Sequence, residues 1–269
     1  MDVGGSHVTA ALVKDGRVAQ RADADLDPHG TAKQILDTIA SVGRELGAHA
    51  SWTLAFPGPF DYARGIGTFE GVAKFGAIAG LDLRAEFGRR LDAEVRFVDD
   101  ADAYIMGEWA AGAARGHDRV IGVTLGTGVG AAFLVDGRPQ AGGPGVPAGG
   151  NLYPFDYLGR PIEDTVSTRA LLALYGADAV SVREVFERAR AGEASALSVV
   201  GSTMEHLGRF VAPFIEDFGA TVFVVGGSIS QSWDLIEPAL RRGLAGTSVD
   251  IAPSVLLADA PLIGAATLS

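Results

Sequence analysis

The sequence predicts an α/β protein, because short apolar runs alternate with segments of helical periodicity along the chain. Strand-like runs occupy residues 51–56, 95–98, 120–124 and 221–225, and helical patterns separate them. Apolar residues make up 48% of the 269 residues, so the chain can bury a substantial core and is not mainly disordered. The length suits one large domain or two lobes, and a helix near residues 103–115 is the best candidate to join two lobes.

Individual elements are predicted from local patterns. The first strand is expected to be short, because Asp2 and the glycine turn that comes after it directly succeed Met1. Alternatively, the chain begins a few residues inside that strand. The remaining elements of the first half, in order, are a helix over 31–46 stopped by Gly47, a strand over 51–56 closed by Pro57-Gly58-Pro59, a helix over 81–92, a strand over 95–98 and a helix from about 101 to 114.

The second half repeats this alternation. Residues 120–124 and 131–135 are predicted to pair as strands, and Asp136-Gly137 is a hairpin signal at the end of the second one. The later elements, in order, are an irregular glycine- and proline-rich stretch over 142–150, a mostly helical region over 168–218, a strand over 221–225, a helix from about 232, a strand over 254–258 and a short terminal helix.

Composition excludes several classes of function. The net charge of −11 argues against a nucleic-acid or anionic-membrane surface, which would need a basic patch. No apolar run is long enough for a transmembrane span, and the N-terminus lacks the pattern of a signal peptide. The chain has no cysteine, which excludes disulfides, thiolate zinc sites, iron–sulfur clusters and cysteine nucleophiles.

Two glycine turns have the chemistry of phosphate sites. Residues 2–6 (Asp-Val-Gly-Gly-Ser) and 125–130 (Leu-Gly-Thr-Gly-Val-Gly) each put glycines and a hydroxyl residue between strand-like runs. Glycine lets backbone N–H groups approach an anion closely. Asp2 would repel phosphate unless a cation stood between them, so Asp2 is a candidate ligand for hydrated Mg²⁺. Neither turn has the Walker sequence or the dinucleotide-binding spacing.

Two further features become informative only in combination. Gly226-Gly227 comes after an apolar strand and suits either close packing of adenosine or an ordinary strand-to-helix turn. Asp99-Asp100-Ala101-Asp102 lies where a buried strand gives way to a helix, so one aspartate could cap that helix. Strand ends are also where α/β proteins hold catalytic groups, and phosphoryl transfer needs a carboxylate that accepts a proton from the attacking hydroxyl. Asp100 is the candidate, and Glu108 would face the same cleft or solvent.

In this order, the motifs resemble the ROK family of sugar kinases and repressors, within the actin-like and hexokinase-like ATPase superfamily. The resemblance spans essentially the whole chain. Residues 99–102 with Gly107-Glu108 are similar to the family's Asn-Asp-Ala-Asn and Gly-Glu motifs, and the C-terminal 260–266 segment resembles the start of its last helix. The resemblance implies a two-lobed RNase H-like fold, with a mixed five-stranded sheet in each lobe and a cleft between them. The expected lobes are 1–112 and 113–269.

The resemblance also implies roles for individual residues. Asp100 becomes the general base, and Asp2 holds Mg²⁺ through water. The substrate ligands become Gly58, Asp99, Asp100 and Glu163. The ATP-binding positions become Asp2, Gly4, Gly5, Ser6, Gly126, Thr127, Gly128, Gly226 and Gly227.

Departures from the family pattern bear on the substrate. Many members carry a Cys/His zinc site near the sugar pocket, but no cysteine exists here and no histidine lies between residues 140 and 170. We therefore expect no zinc. Asp99 replaces the usual Asn, which turns a donor and acceptor into an acceptor alone when ionised. Of the sugar-binding residues of this region, only Glu163 has a recognisable counterpart, so glucose itself is in doubt.

The sequence therefore predicts ATP- and Mg²⁺-dependent phosphorylation of a hydroxyl on a hexose or hexose-like molecule. Alternatives are a cyclitol or amino-sugar kinase, or a non-catalytic sugar-binding ROK protein. A repressor is disfavoured, because the chain starts at the phosphate turn and is acidic. We expect a small-molecule substrate, no nucleic-acid or membrane partner and a cytoplasmic location. The choice between ATP and polyphosphate, and between a monomer and a homodimer, stays open.

Overall fold

The computed structural model describes residues 1–176 and 181–268. Part of the predicted helical region, residues 177–180, therefore lies outside the described residues. The strands are β1 (Asp2–Val3), β2 (His7–Lys14), β3 (Arg17–Asp25), β4 (Ser51–Phe56), β5 (Phe60–Asp61), β6 (Ile66–Gly67), β7 (Glu94–Asp99), β8 (Arg119–Leu125), β9 (Val129–Val135), β10 (Arg138–Pro139), β11 (Asp156–Tyr157), β12 (Arg160–Pro161), β13 (Val222–Gly226) and β14 (Asp250–Pro253).

Helices of very different lengths lie between these strands. They are α1 (Ala32–Glu45), α2 (Leu83–Leu91), α3 (Asp100–Ala111), α4 (Glu163–Val166), α5 (Thr168–Tyr175), α6 (Val182–Arg190), α7 (Ala194–Phe218), α8 (Trp233–Gly243) and α9 (Ala260–Ala266). Within the described ranges, no helix combines the length and the apolar character needed to cross a membrane.

The chain divides into two compact units. The first consists of Met1–Ala111 together with the residues from Ala258 onward, and the second is Gly112–Leu257. The grouping of the C-terminal residues with the first unit differs from the expected 113–269 lobe. The physical reason is the packing of α9 on α3.

A mixed five-stranded sheet forms the first unit, in the order β3-β2-β1-β4-β7. Strands β1, β2 and β3 are antiparallel neighbours, whereas β1, β4 and β7 run parallel. The carboxyl ends of parallel strands meet at one edge of a sheet. This edge therefore receives the first glycine turn after β1, Pro57-Gly58-Pro59 after β4 and the aspartates that end β7.

The second unit has a sheet of the same design, in the order β10-β9-β8-β13-β14. Here β8, β9 and β10 are antiparallel and β8, β13 and β14 are parallel. The second glycine turn joins β8 to β9, and Gly226-Gly227 lies at the end of β13. The mixed five-stranded sheet expected in each lobe is thus present in each unit.

One predicted strand is wrong. The sequence favoured residues 254–258, but the strand is Asp250–Pro253, which pairs with Val222–Val225 of β13. Beyond it the chain turns, because the Ser254 hydroxyl accepts the Leu257 N–H at 3.2 Å, and Val255 is 61% exposed. Pairing with the neighbouring strand decided the position, against the more apolar local sequence.

Candidate active site

The first glycine turn is held by the strand that comes after it. Gly4 donates its N–H to the His7 carbonyl at 2.9 Å, and Ser6 is exposed at the tip of the turn. Asp2, on β1 just before the turn, is half-buried. Burial raises the pKa of Asp2, while the N-terminal ammonium and His7 act in the opposite direction.

Asp99 is the cap of α3. Its Oδ1 accepts the N–H groups of Ala101 at 3.0 Å and Asp102 at 3.3 Å, which satisfies two of the free donors at the start of the helix. Its Oδ2 accepts a hydrogen bond from the Tyr62 hydroxyl at 2.7 Å. Both carboxylate oxygens therefore have partners within the chain, and any contact from a substrate must use a remaining lone pair.

Tyr62 connects Asp99 to the proline–glycine loop. Its hydroxyl lies 3.0 Å from the Phe56 carbonyl and would lie 3.6 Å from a Cβ atom added at Gly58. Burial, and to a smaller extent the charge of Asp99, raises the pKa of Tyr62 well above its usual range, so the hydroxyl stays protonated and donates. Gly58 and Asp99, predicted from separate motifs, are thus brought to one place.

Asp100 has the properties of a general base. Its side chain is exposed to solvent at the start of α3, yet desolvation by the surrounding protein raises its pKa to about 7. The charges of Asp99 and then of Asp2 contribute in the same direction. A carboxylate that titrates near neutral pH accepts a proton far more readily than an ordinary one. Desolvation, Asp99 and Asp100 raise the pKa of Asp102 to about 8 in the same way.

In the second unit, the structure brings the second glycine turn and Gly226-Gly227 together. Strands β8 and β13 are parallel neighbours, so Gly226 lies opposite Thr124. Gly227 has φ +86°, and a Cβ atom there would overlap the carbonyl oxygen of Leu125. Gly227 therefore packs directly on Leu125, just before Gly126 of the second glycine turn, and a side chain at position 227 would push the two segments apart.

The second glycine turn is also fixed to a helix. Gly126 accepts the N–H of Thr168 at 2.9 Å and its hydroxyl at 2.6 Å, at the start of α5. A Cβ atom at Gly128 would lie 3.1 Å from Oε2 of Glu163. Glu163 is half-buried and lies 3.5 Å from Nη2 of Arg169. Glu163, predicted to bind substrate, thus borders the second glycine turn, and Arg169 offsets its charge.

Three motif residues are buried in helix packing that the sequence did not reveal. Glu108 is fully buried in α3, so it does not face solvent. A Cβ atom at Gly107 would overlap the backbone of Ala260, and one at Gly264 would overlap the carbonyl of Ala103. The glycines of these two motifs let α3 and α9 approach closely.

The donor groups fit the implied ligands. Mg²⁺ binds through one or two carboxylates and completes its shell with water and phosphate oxygens, and Asp2 offers such a carboxylate beside a glycine turn. A Cβ atom at Gly5 would meet the end of the Lys74 side chain, so the absence of a side chain there suits the close backbone approach that phosphates require. Within residues 1–176 and 181–268, no three His, Cys, Asp or Glu side chains form a metal-holding group. The absence of zinc stays a prediction.

Sequence reasoning missed several residues of the site. Tyr62 gave no motif signal, because its contact with Asp99 spans 37 positions. Lys74 was missed as well, although its side chain lies against Gly5 of the first turn. Thr168 comes after a recognisable helix-capping Ser167, so a cap search could have placed it near the start of a helix, but not beside Gly126.

Known proteins resemble this chain over its whole length. The family model described as "ROK family" matches residues 1–269. The chain is 26% identical to a glucokinase of Thermotoga maritima, an alignment that covers 100% of this chain and 95% of that protein. It is 23% identical to an N-acetylmannosamine kinase of Haemophilus influenzae, covering 99% and 93%.

A solved structure extends the comparison to the fold. It is a ROK family glucokinase from Streptomyces griseus in complex with glucose and AMPPNP. The TM-score is 0.80 at 25% identity, covering 100% of this chain and 97% of that chain. The predicted α/β fold of actin-like ATPase type is confirmed, and the chain belongs to the ROK family.

Proposed function

We propose that this protein is an ATP-dependent kinase that phosphorylates a hydroxyl of a hexose or a hexose-like molecule. The observation that carries the proposal is Asp100, a solvent-accessible carboxylate with a pKa raised to about 7, next to Asp2 and a glycine turn. Its place at a strand end suits a group that receives the substrate. The glucokinase and N-acetylmannosamine kinase relatives support the same class of reaction.

In the proposed mechanism, Asp100 accepts the proton of the attacking hydroxyl while that oxygen attacks the terminal phosphorus of the donor. Desolvation and the charges of Asp99 and Asp2 keep its pKa high enough for this transfer near neutral pH. The role of Asp99 is to keep Asp100 in place, because it caps the helix on which Asp100 is the first residue.

The remaining assignments rest on the glycine turns. Asp2 would hold Mg²⁺ through water, and this ion would neutralise phosphate charge. The backbone at Gly4–Ser6 and at Gly126–Gly128 would bind phosphate oxygens, and Gly226-Gly227 would pack against adenosine. In this proposal Gly58, Asp99 and Glu163 contact the substrate. A cytoplasmic location, a homodimer, and the absence of nucleic-acid and membrane partners also stay predictions.

A panel assay tests the proposal. Purified protein with Mg²⁺ and either ATP or polyphosphate is offered glucose, mannose, fructose, N-acetylmannosamine, N-acetylglucosamine and a cyclitol, and the phosphorylated product is measured. We expect product from at least one sugar, and its loss in Asp100→Asn. Absence of product with every acceptor and both donors would contradict the proposal.

An amino-sugar kinase is the second candidate. It is favoured by the N-acetylmannosamine kinase relatives and by Asp99, which offers acceptors where the family pattern has an amide. The panel separates the two candidates, because an amino-sugar kinase turns over its N-acetylated substrates with higher kcat/KM than glucose. We expect glucose not to be the best substrate.

A further inference from the structure

The side chain of Lys74 lies across the first glycine turn. A Cβ atom added at Gly5 would fall within 3.0 Å of its Nζ, Cε and Cδ atoms, so the ammonium end of Lys74 rests on the turn itself. Both residues belong to the first unit, 69 positions apart in sequence. The absence of a side chain at Gly5 is what makes this approach feasible.

The backbone that carries Lys74 is fixed to the core. Phe69 and Phe75 enclose the segment and are both buried, with ring centroids 5.5 Å apart. Phe75 donates its N–H to the Pro28 carbonyl at 2.9 Å, whereas residues 70–73 are exposed. Lys74 is therefore the first residue N-terminal to an anchored phenylalanine, and this anchor directs its side chain to the turn.

The ammonium of Lys74 is available for a ligand. In the described part of the chain it makes no ion pair or hydrogen bond, whereas Lys33 is bound to Asp37 at 2.6 Å. Lysine is also rare in this arginine-rich chain, whose lysines are Lys14, Lys33 and Lys74. The carboxylates near this turn, Asp2 and Asp100, would repel a phosphate. A cation held over the same turn offsets that repulsion.

We propose that Lys74 binds the phosphoryl group received by the first glycine turn and stabilises the charge that develops on it during transfer. This inference rests on the proposed kinase function and adds a residue to it. The acceptor oxygen forms a bond to phosphorus, the bond from phosphorus to the bridging oxygen of the donor breaks, and the proton goes to Asp100. Lys74 stays protonated throughout and acts by charge and hydrogen bonding, as preorganised cations do in phosphoryl transfer.

Substitution of Lys74 tests the role in turnover. We expect Lys74→Met to lower kcat on the order of 10²-fold, because one preorganised donor to a developing oxyanion contributes about that much. The KM of the sugar should change less than twofold, and Lys74→Arg should recover part of kcat because it restores the charge. Lys33→Met, which removes an exposed lysine of the same unit, is the matched control. Equal kcat in Lys74→Met and wild type would overturn the inference.

Protection of Lys74 from acetylation tests nucleotide binding without requiring activity. The three lysines are acetylated with and without Mg²⁺ and a non-hydrolysable ATP analogue, in the presence of each panel sugar, and their modification rates are measured by mass spectrometry. We expect the nucleotide with sugar to slow acetylation of Lys74 at least fivefold, with Lys14 and Lys33 unchanged. Unchanged acetylation of Lys74 under saturating nucleotide would overturn the inference.

The two experiments separate this inference from the proposed function. If wild type phosphorylates no acceptor, the kinase proposal fails, and the acetylation measurement alone decides whether Lys74 meets a phosphate. If wild type is active and Lys74→Met matches it, only the assignment of Lys74 fails. The melting temperature of each variant excludes a loss of folding as the cause of any effect.

Discussion

The two units have the same scaffold but different chemistry at their strand ends. Each sheet has three antiparallel strands next to two parallel ones, and each has a glycine turn after its central strand. In the first unit the outer parallel strand ends in Asp99 and leads to Asp100. In the second, the equivalent strand ends in Pro253 and leads to Ser254. The scaffold therefore places loops at one edge of each sheet, and the two units differ in the side chains that those loops carry.

The units also pack their helices alike. In the first, α3 and α9 meet through Gly107 and Gly264, and in the second, α7 and α8 meet through Gly208 and Gly243. Cβ atoms at Gly208 and Gly243 would overlap the carbonyls of Leu240 and Glu205. Several glycines of this chain therefore serve helix packing, so a high glycine content does not by itself indicate phosphate-binding turns.

The largest effect is expected at Asp100, the proposed general base in the first unit. Asp100→Asn keeps the size of the side chain but removes the proton acceptor, so kcat should fall on the order of 10²-fold or more, with a much smaller change in sugar affinity. Asp217→Asn, at an exposed position of α7, is the matched control. Steady-state kinetics on the best panel substrate measures both. Near-normal kcat in Asp100→Asn would show that Asp100 is not the general base and only begins the helix.

The pH profile sharpens the same assignment. Because the pKa of Asp100 is raised to about 7, the carboxylate is protonated below that pH and cannot accept the hydroxyl proton. We expect kcat/KM to rise about tenfold per pH unit below 7 and to level off above it. A profile flat from pH 5 to 8 on the same substrate would contradict this assignment.

The next largest effect is expected at Gly227, in the proposed adenosine-binding turn of the second unit. Gly227→Ala forces a side chain into a left-handed position and against the Leu125 carbonyl, so it should cost about 2–4 kcal/mol and weaken ATP binding. Gly192→Ala is closely matched, because its φ is +87° but nothing lies within 4 Å of the added Cβ atom. Thermal unfolding and nucleotide titration compare the two. Equal losses would show that backbone strain, rather than the contact, decides the cost.

Glu163→Gln tests whether the second unit also contributes to the substrate site. Loss of a charged hydrogen-bond acceptor should raise the KM of the sugar about tenfold, with a smaller change in the KM of ATP. The neighbouring Asp164→Gln, which removes a carboxylate that also pairs with Arg169, is the control. A larger change in the KM of ATP than in the KM of the sugar would show that Glu163 acts at the second glycine turn, which it borders at Gly128.

The smallest expected effect is on stability. Asp102 has a pKa raised to about 8, so the folded state holds a proton that the unfolded chain releases near pH 4. Between these two pH values the folded state binds one proton more than the unfolded chain, so the free energy of unfolding falls as pH rises from about 4 to about 8 and levels off above that. Asp102→Asn should raise the melting temperature by about 3 °C at pH 9 relative to wild type, and by less at pH 5. A larger gain at pH 5 than at pH 9 would contradict the raised pKa.

Metal content gives a further check that needs no substitution. The chain has no cysteine, and none of its histidines lies between residues 140 and 170, so we expect purified protein to carry no stoichiometric zinc. Elemental analysis measures this directly. One zinc per chain that survives dialysis against a chelator would require a site of histidines and carboxylates that the sequence did not indicate.

The sequence by itself determined the class of fold, the order of most elements and the glycine turns, because these depend on local periodicity and on residues that adopt special backbone geometry. It also placed Asp100 at a strand end and carried the family resemblance. The local sequence predicted the wrong position for β14. The apolar run at 254–258 suggested a strand there, but Asp250–Pro253 pairs with β13 instead.

Only the tertiary structure decided which residues meet. Tyr62 reaches Asp99, Lys74 reaches Gly5, Glu163 borders Gly128 and Gly227 packs on Leu125. These contacts join positions far apart in the sequence, and no local pattern encodes them, since side-chain approach depends on strand order and helix packing. The raised pKa of Asp100 has the same origin, because it arises from desolvation by the surrounding protein and from the charges of Asp99 and Asp2, which folding brings to one sheet edge.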